Sequence, residues 1–318
     1  MENKLKNKTI TVTGGFGFIG CFLVERLLEY NVKRIIIIDN QKYSRDNSIF
    51  RLNDKIIVHK VSLNNVNIEK LVELLKGTHF LFHLAAEKYN QSLNDPLNLL
   101  KTNVIGTTAL LEASLIVGIK KVVFSSSLYA YGRRNLPAMV EIEKSNPTTI
   151  YGISKLAGEH ILSHYSGHGL EYNVLRYFFV YGPRQYAGLG YKSVIIKNFQ
   201  RMLSGKPPIV LGDGLQALDY SFVTDIVAGT ISAMVMNVHS EIINLGSGNA
   251  ITINELTNKM RVIAGYSGSI IYADSDETFG TARICDNNKA VKLLCFDPKI
   301  NIDKGLKITY DWMKNAEH

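Results

Sequence analysis

Tyr151 and Lys155 stand four residues apart in the segment YGISK. In a helix that spacing is one turn, so both side chains project from one face. A cation beside a phenol favours the phenolate and lowers its pKa, which would give a usable base near neutral pH. Alone, such a pair is commonly a packed tyrosine and a solvated lysine, and it gains meaning only if something to act on is held nearby. The segment TVTGGFGFIG supplies it, with Gly14, Gly17 and Gly20 at the end of one strand and the opening of a helix. A tight turn and a close backbone approach to a pyrophosphate both require residues without side chains. The helix N-terminus then offers free N–H groups and a positive dipole end to phosphate. Asp39 follows at the tip of the next strand, where a carboxylate can accept hydrogen bonds from an adenosine ribose diol and repel a 2′-phosphate. NAD is therefore expected over NADP, with Lys42 and Arg45 nearby as a counterweight.

These residues need a frame. KTITVTGG, KRIIIIDN, KIIVHKVSL, HFLFHLAA, KKVVFSSS and YNVLRYFFVYG read as six strands. Between them, FIGCFLVERLLEYN, NIEKLVELLKG, the long PLNLLKTNVIGTTALLEASLIVG and a segment starting near Tyr151 read as helices. KRIIIIDN is apolar at every inner position, as a strand buried on both faces must be. The alternation of strand and helix predicts an α/β fold, a doubly wound Rossmann-type parallel sheet over residues 1–178. After YGPRQ the pattern loosens into short strands, helices and Gly/Pro turns. A smaller mixed α/β lobe is expected over 179–318, with segments near 215–240 returning to the first domain.

Composition narrows the class. The 318 residues are 46% hydrophobic and 20% charged, as in ordinary globular proteins. The polar N-terminus lacks the apolar stretch of a signal peptide, and no apolar run reads as long enough to span a membrane. Cys21, Cys285 and Cys295 show neither CxxC nor metal-ligand spacing, so reduced thiols in the cytoplasm and no bound metal are expected. The net charge of +8 is scattered, without a basic run interleaved with aromatics, and does not point to nucleic acid.

Taken together, the chain resembles the extended short-chain dehydrogenase/reductase family, and within it the nucleotide-sugar epimerase/dehydratase group typified by UDP-glucose 4-epimerase-like enzymes. The resemblance rests on TGGFGFIG (13–20), HLAA (83–86), NVIGT (103–107), SSSLYAYG (125–132), YGISK, RYFFVYGPRQ (176–185), GDGLQALDY (212–220), NLGSG (244–248) and RICDNNKA (283–290), in family order. It implies that NAD lies against Gly14, Gly17, Phe18, Ile19 and Gly20, then Asp39 and Asn40, Ser62 and Leu63, and Leu84, Ala85 and Ala86. Asn103 would hold the backbone beside it. Tyr151 would take the proton from a sugar hydroxyl at C4 as hydride leaves that carbon. Lys155 would hold the nicotinamide ribose and lower the tyrosine pKa, and Ser127 would orient the same oxygen, with Ser125 and Ser126 as neighbouring alternatives. A nucleotide-diphosphate sugar is the implied substrate, contacted by Lys88, Ser127, Leu128, Tyr129, Phe179, Arg184, Lys192 and Arg283. A homodimer pairing the helices at 102–118 and from Tyr151 is implied as well.

The departures from the family pattern fall on the substrate side. The 4,6-dehydratases of the group carry an Asp-Glu pair where this chain has Leu128 and Tyr129, so dehydration is disfavoured. Phe179 replaces a common asparagine. Leu218 stands where relatives carry the arginine that clamps the diphosphate, leaving Arg283, with Lys192 or Arg184, to bear that load. Ser62 replaces an adenine-contacting aspartate, and Glu87, Lys88, Tyr89 and Asn90 would rebuild the sugar side. The implied reaction is oxidation at C4 of a nucleotide-linked sugar, completed either as a 4-epimerisation or as release of a 4-keto sugar by a dehydrogenase. A non-catalytic dinucleotide sensor would be expected to lose the Ser-Tyr-Lys set that is intact here.

Overall fold

The structure is a computed structural model that describes residues 4–42, 53–133, 138–185 and 193–316. Strands β1 (Thr9–Thr13), β2 (Arg34–Asp39), β3 (Ile56–Lys60), β4 (Phe80–His83), β5 (Lys121–Ser127) and β6 (Glu171–Tyr177) pair in parallel in the spatial order 3-2-1-4-5-6, and a seventh parallel strand joins beyond β6. The isoleucine run explains the position of β2. Ile35 and Ile37 enter the core on one face of the sheet, while Ile36 and Ile38 enter the core on the other. Helices α1 (Phe18–Leu28), α2 (Ile68–Leu75), α3 (Tyr89–Asn94), α4 (Pro96–Leu100), α5 (Thr107–Val117) and α6 (Ile150–Ser166) connect these strands. The strand order reverses at β1, between β2 and β4, which opens a crevice at the carboxyl ends of the strands.

Two predicted elements differ in detail. The long helix from Pro96 is interrupted between α4 and α5 by a π-turn over Lys101–Gly106. Asn103 sits in that turn, its side chain committed to the loop after β4, and such local widening commonly re-aims a side chain at a functional position. The long sixth strand ends at Tyr177, and Val180–Tyr181 forms a separate short strand, β7, that pairs into the second lobe. The continuous helical stretch Pro96–Val117 also departs from the sequence expectation, being long and apolar enough by length and composition to cross a membrane. Nearly half of it is buried here, in a segment that packs against α2 and α6.

The rest of the chain comprises α7 (Val194–Leu203), β8 (Ile209–Leu211), β9 (Ala217–Asp219), β10 (Ser221–Phe222), α8 (Val223–Val235), β11 (Glu241–Leu245), β12 (Ala250–Thr252), α9 (Ile253–Ala264), β13 (Ile271–Ala273), β14 (Ala282–Arg283), α10 (Asn288–Leu294) and α11 (Ile302–Ala316). Strand β11 is the seventh strand of the large sheet, and α8 packs on β5 and β6, so residues 223–245 return to the first layer stack. Strands β12, β9 and β14 form a small sheet beside the crevice. Asp219 ties this lobe together. Its fully buried carboxylate accepts hydrogen bonds from Ser247 N and Oγ, Gly248 N and Cys285 N, at 2.7–3.2 Å.

Candidate active site

The crevice is a single elongated cleft of about 360 Å³ running from the first glycine turn to the small β9 sheet. At one end Gly14, Gly17, Phe18, Ile19 and Gly20 form its floor. Gly14 has φ +72°, and a Cβ there would lie 2.8 Å from Ala85 N; at Gly20 a Cβ would lie 2.0 Å from Gly14 O. The turn can hold this shape only without side chains. Gly17 is the N-cap of helix α1 and offers no side-chain cap, so the free N–H groups of the first turn lie at the cleft lined by Phe18, Ile19 and Gly20. Asp39 lines the same end, its carboxylate held by Phe16 N at 3.0 Å and Gln41 N at 2.6 Å. Burial raises its pKa, and those two N–H donors pull it back toward the ionised form. Asn40, Leu63, Leu84, Ala85 and Ala86 complete the wall. Val61 and Leu63 face the cleft, whereas Ser62 between them does not, as expected of alternating side chains in extended backbone.

Tyr151, Lys155 and Ser127 meet in the middle of the cleft. Thr149 caps α6 by accepting from Gly152 N at 3.0 Å. The helix start can press against the turn after β5 because Gly152 has no side chain; a Cβ there would lie 2.3 Å from Tyr129 O. The three serines at the end of β5 have separate partners. Ser125 donates to His83 O at 3.1 Å, Ser126 donates to the Glu159 carboxylate, and Ser127 Oγ accepts from Tyr129 N at 3.3 Å. Of the three, Ser127 is the one whose hydroxyl acts to lower the Tyr151 phenol pKa. Lys155 donates to Ser125 O at 2.8 Å, with its Nζ 5.8 Å from the Tyr151 ring centroid.

The electrostatics correct one expectation. Desolvation pushes the Tyr151 phenol up to about 12, against a smaller lowering by the Ser127 hydrogen bond. Lys155 is not what moves it. Burial brings Lys155 itself down to about 7, only partly offset by Glu159 one turn further along α6. The pair is therefore uncharged or only partly charged at neutral pH; a bound cation would favour the phenolate, and hydroxyls accepting from Lys155 would favour its ammonium.

Beneath the serines lies an ion pair that sequence reading missed. Arg176 of β6 donates to Glu159 through Nε at 3.0 Å and Nη2 at 2.6 Å, both side chains being almost fully buried, and stacks 4.3 Å from the Tyr131 ring centroid. Two signals could have found it: a carboxylate four residues after Lys155, and an arginine inside an otherwise apolar strand.

The substrate-side residues scatter more widely. Lys88, Leu128, Tyr129 and Phe179 line the cleft, joined by Leu218 and Tyr220 of the small lobe. Tyr129 stacks on Tyr89 with centroids 5.3 Å apart, meets Tyr151 edge-on at 5.7 Å, and donates from its hydroxyl to Glu277 at 2.6 Å. Burial lowers the Lys88 pKa, with Glu87 opposing. Asn103 sits behind the wall rather than in it: its amide accepts from Glu87 N at 2.8 Å and donates to Glu87 O and to Ser154 Oγ, each at 3.0 Å. Arg184 is turned away, paired with Glu25 at 2.5 Å and stacked over Phe22 of α1. Arg283 is buried behind Tyr129, 5.3 Å from its ring centroid, donating to Glu277 O at 3.1 Å. Lys192 lies outside the described residues. Among the described residues no group of three His, Cys, Asp or Glu side chains could hold a metal ion.

Comparison with known proteins agrees with this geometry. Residues 10–246 match the NAD dependent epimerase/dehydratase family. A putative UDP-glucose 4-epimerase of Methanocaldococcus jannaschii is 34% identical over 309 residues, covering 96% of this chain and 98% of the relative. A UDP-N-acetyl-alpha-D-glucosaminuronate decarboxylase of Bacillus cytotoxicus is 31% identical, over 98% of this chain and 99% of its own. The crystal structure of Thermotoga maritima UDP-glucose 4-epimerase with UDP-glucose superposes with a TM-score of 0.91 at 33% identity, over 98% of this chain and 100% of that one. Solved UDP-glucuronic acid 4-epimerases from Bacillus cereus with the same fold hold NAD, and the glycine floor and Asp39 described above fit that dinucleotide. The chain belongs to the NAD dependent epimerase/dehydratase family.

Proposed function

We propose that this protein is an NAD-dependent nucleotide-sugar 4-epimerase. The observation that carries the reading is the junction of Ser127, Tyr151 and Lys155 at the middle of a cleft whose one end is a dinucleotide floor and whose other end opens into the small lobe. NAD, when bound along Gly14–Gly20 and Asp39, supplies the hydride acceptor and donor together with a positive charge beside the phenol. Desolvation holds Tyr151 near 12, and a positive charge supplied beside it would favour the phenolate. Tyr151 then accepts the proton of a sugar hydroxyl and later returns it, while Ser127 holds the same oxygen in line. Ribose hydroxyls at Lys155 would restore hydrogen-bond partners to its ammonium. Leu128 and Tyr129 offer no carboxylate at the position where elimination of water needs one, so dehydration is not the proposed outcome.

Leu211, Leu218, Tyr220 and Ile253 of the small lobe line the far end and suit a nucleotide base and its ribose. We also propose a homodimer: Leu97, Ile105 and Ile116 expose apolar side chains along α4, the π-turn and α5, beside α6. The test of the reaction is purified protein with NAD against UDP-, GDP-, CDP- and dTDP-sugars, following nicotinamide absorbance and product NMR together. A new diastereomer without net NADH supports the epimerase. Stoichiometric NADH with a keto sugar overturns it in favour of a dehydrogenase, and loss of carbon dioxide from a uronate overturns it in favour of a decarboxylase.

A further inference from the structure

Lys42 and Glu87 take no part in the acid–base set, and they lie on opposite sides of the glycine turn. Lys42 follows β2 just beyond Asp39, and Glu87 follows β4. Because β1 runs between β2 and β4, its glycine turn lies between the two loops. Lys42 Nζ nevertheless reaches Glu87 Oε1, at 3.4 Å. The two ends of this pair are built differently. Glu87 is 3% exposed, its backbone N–H and C=O are both gripped by Asn103, and its Oε1 also accepts from Asn98 Nδ2 at 3.4 Å. A carboxylate is buried to that degree only when paired. Lys42 is half-exposed, a charge on a flexible four-carbon stem. One end is an anchor and the other an arm.

We propose that the Lys42–Glu87 pair is a strap across the cofactor cleft, closing over the stretch where the glycine turn receives the pyrophosphate, so that the dinucleotide leaves only when the pair opens. The proposal rests on the dinucleotide reading of this cleft. It gives Glu87 a role toward the cofactor rather than toward the sugar. It also suits the proposed reaction, because a 4-epimerase must keep the same dinucleotide through both halves of its cycle, whereas a dehydrogenase must let it go.

The test is NADH release from the full-length protein, followed by nicotinamide fluorescence after mixing with excess NAD, in wild type, Lys42→Gln, Glu87→Gln and the double variant. The strap predicts release about two- to five-fold faster in each single variant, the range for a half-exposed ion pair, and no further acceleration in the double variant. Raising the salt concentration should bring the wild-type rate toward that of the variants. Glu87→Gln decides the matter by its sign. If Lys42 only attracts phosphate, removing a negative charge beside the cofactor leaves release unchanged or slows it, and that result overturns the strap. Equal rates in all four proteins overturn it too. Failure of the wild type to bind NADH at all overturns the cofactor assignment and the strap with it.

Discussion

Lys155 offers a test of the site's electrostatics that needs no substrate. Its ammonium is buried at the centre of the cleft, with Ser125 O at 2.8 Å and Glu159 one turn away, and burial brings it from 10.5 down to about 7. A group whose pKa is lower in the folded than in the unfolded state stabilises the fold above its unfolded pKa, and that contribution is lost as pH falls through the folded pKa. Between about 7 and 10.5 the unfolded chain carries the proton and the folded protein does not, so stability rises with pH across that window. The slope approaches about 1.4 kcal/mol per pH unit for one fully responding group. Lys155→Met removes the titration and keeps the side-chain volume. Stability from urea unfolding of cofactor-free protein at pH 7.5 and 9 should therefore increase by about 2 kcal/mol more in the wild type than in Lys155→Met. Taking the difference cancels every other titrating group shared by the two proteins. Parallel stability curves, diverging by less than about 0.5 kcal/mol, would refute the claim that burial dominates the lysine. A difference that grows as pH falls toward neutrality from 9 in favour of the wild type would reverse its sign.

Other outcomes follow from the same geometry. Tyr151→Phe should lower turnover by about 10²–10⁴-fold while leaving NADH binding, read by fluorescence, in place. Ser127→Ala should lower turnover at least about ten-fold and move the acidic limb of the pH–rate profile upward, because Ser127 is what lowers the pKa of the phenol that must ionise to act as base. Arg176→Met should cost about 3–5 kcal/mol in urea unfolding, because it strands the buried Glu159 carboxylate, whereas Arg176→Met combined with Glu159→Leu should recover most of the loss. Ile105→Asp with Ile116→Asp should convert a dimer to a monomer in size-exclusion light scattering and leave the far-UV circular dichroism unchanged.

The cofactor half was legible in the sequence because its requirements are local. Gly14, Gly17 and Gly20 are needed by one turn, and Asp39 must stand at the end of the adjacent strand, so a linear spacing encodes the geometry. The parallel sheet was legible for a similar reason: strands buried on both faces cannot hide their composition, and KRIIIIDN feeds both cores at once. The break at Lys101–Gly106 was not, since nothing in the periodicity of an apolar helix records that Asn103 will spend its amide on the backbone of Glu87.

The substrate half was less legible because there partner choice, not residue type, sets the role. Three adjacent serines carry the same hydroxyl, and only the alternation of β5 against α6 and β4 sends one to His83 and one to Glu159 and leaves Ser127 the one that lowers the Tyr151 pKa. Arg184 sits in the expected motif, but its guanidinium finds Glu25 on α1. Tyr151 shows the same principle in its electrostatics. Spacing places a lysine one turn away and suggests a lowered phenol pKa, yet burial acts on both groups at once, raising the acid and lowering the base until neither is charged in the way the motif suggests. The motif thus specifies positions, and the charge state must come from what enters the cleft. On the proposed reading, a cationic dinucleotide in the cleft would favour the phenolate, which would couple cofactor occupancy to the ability of Tyr151 to take a proton from the sugar.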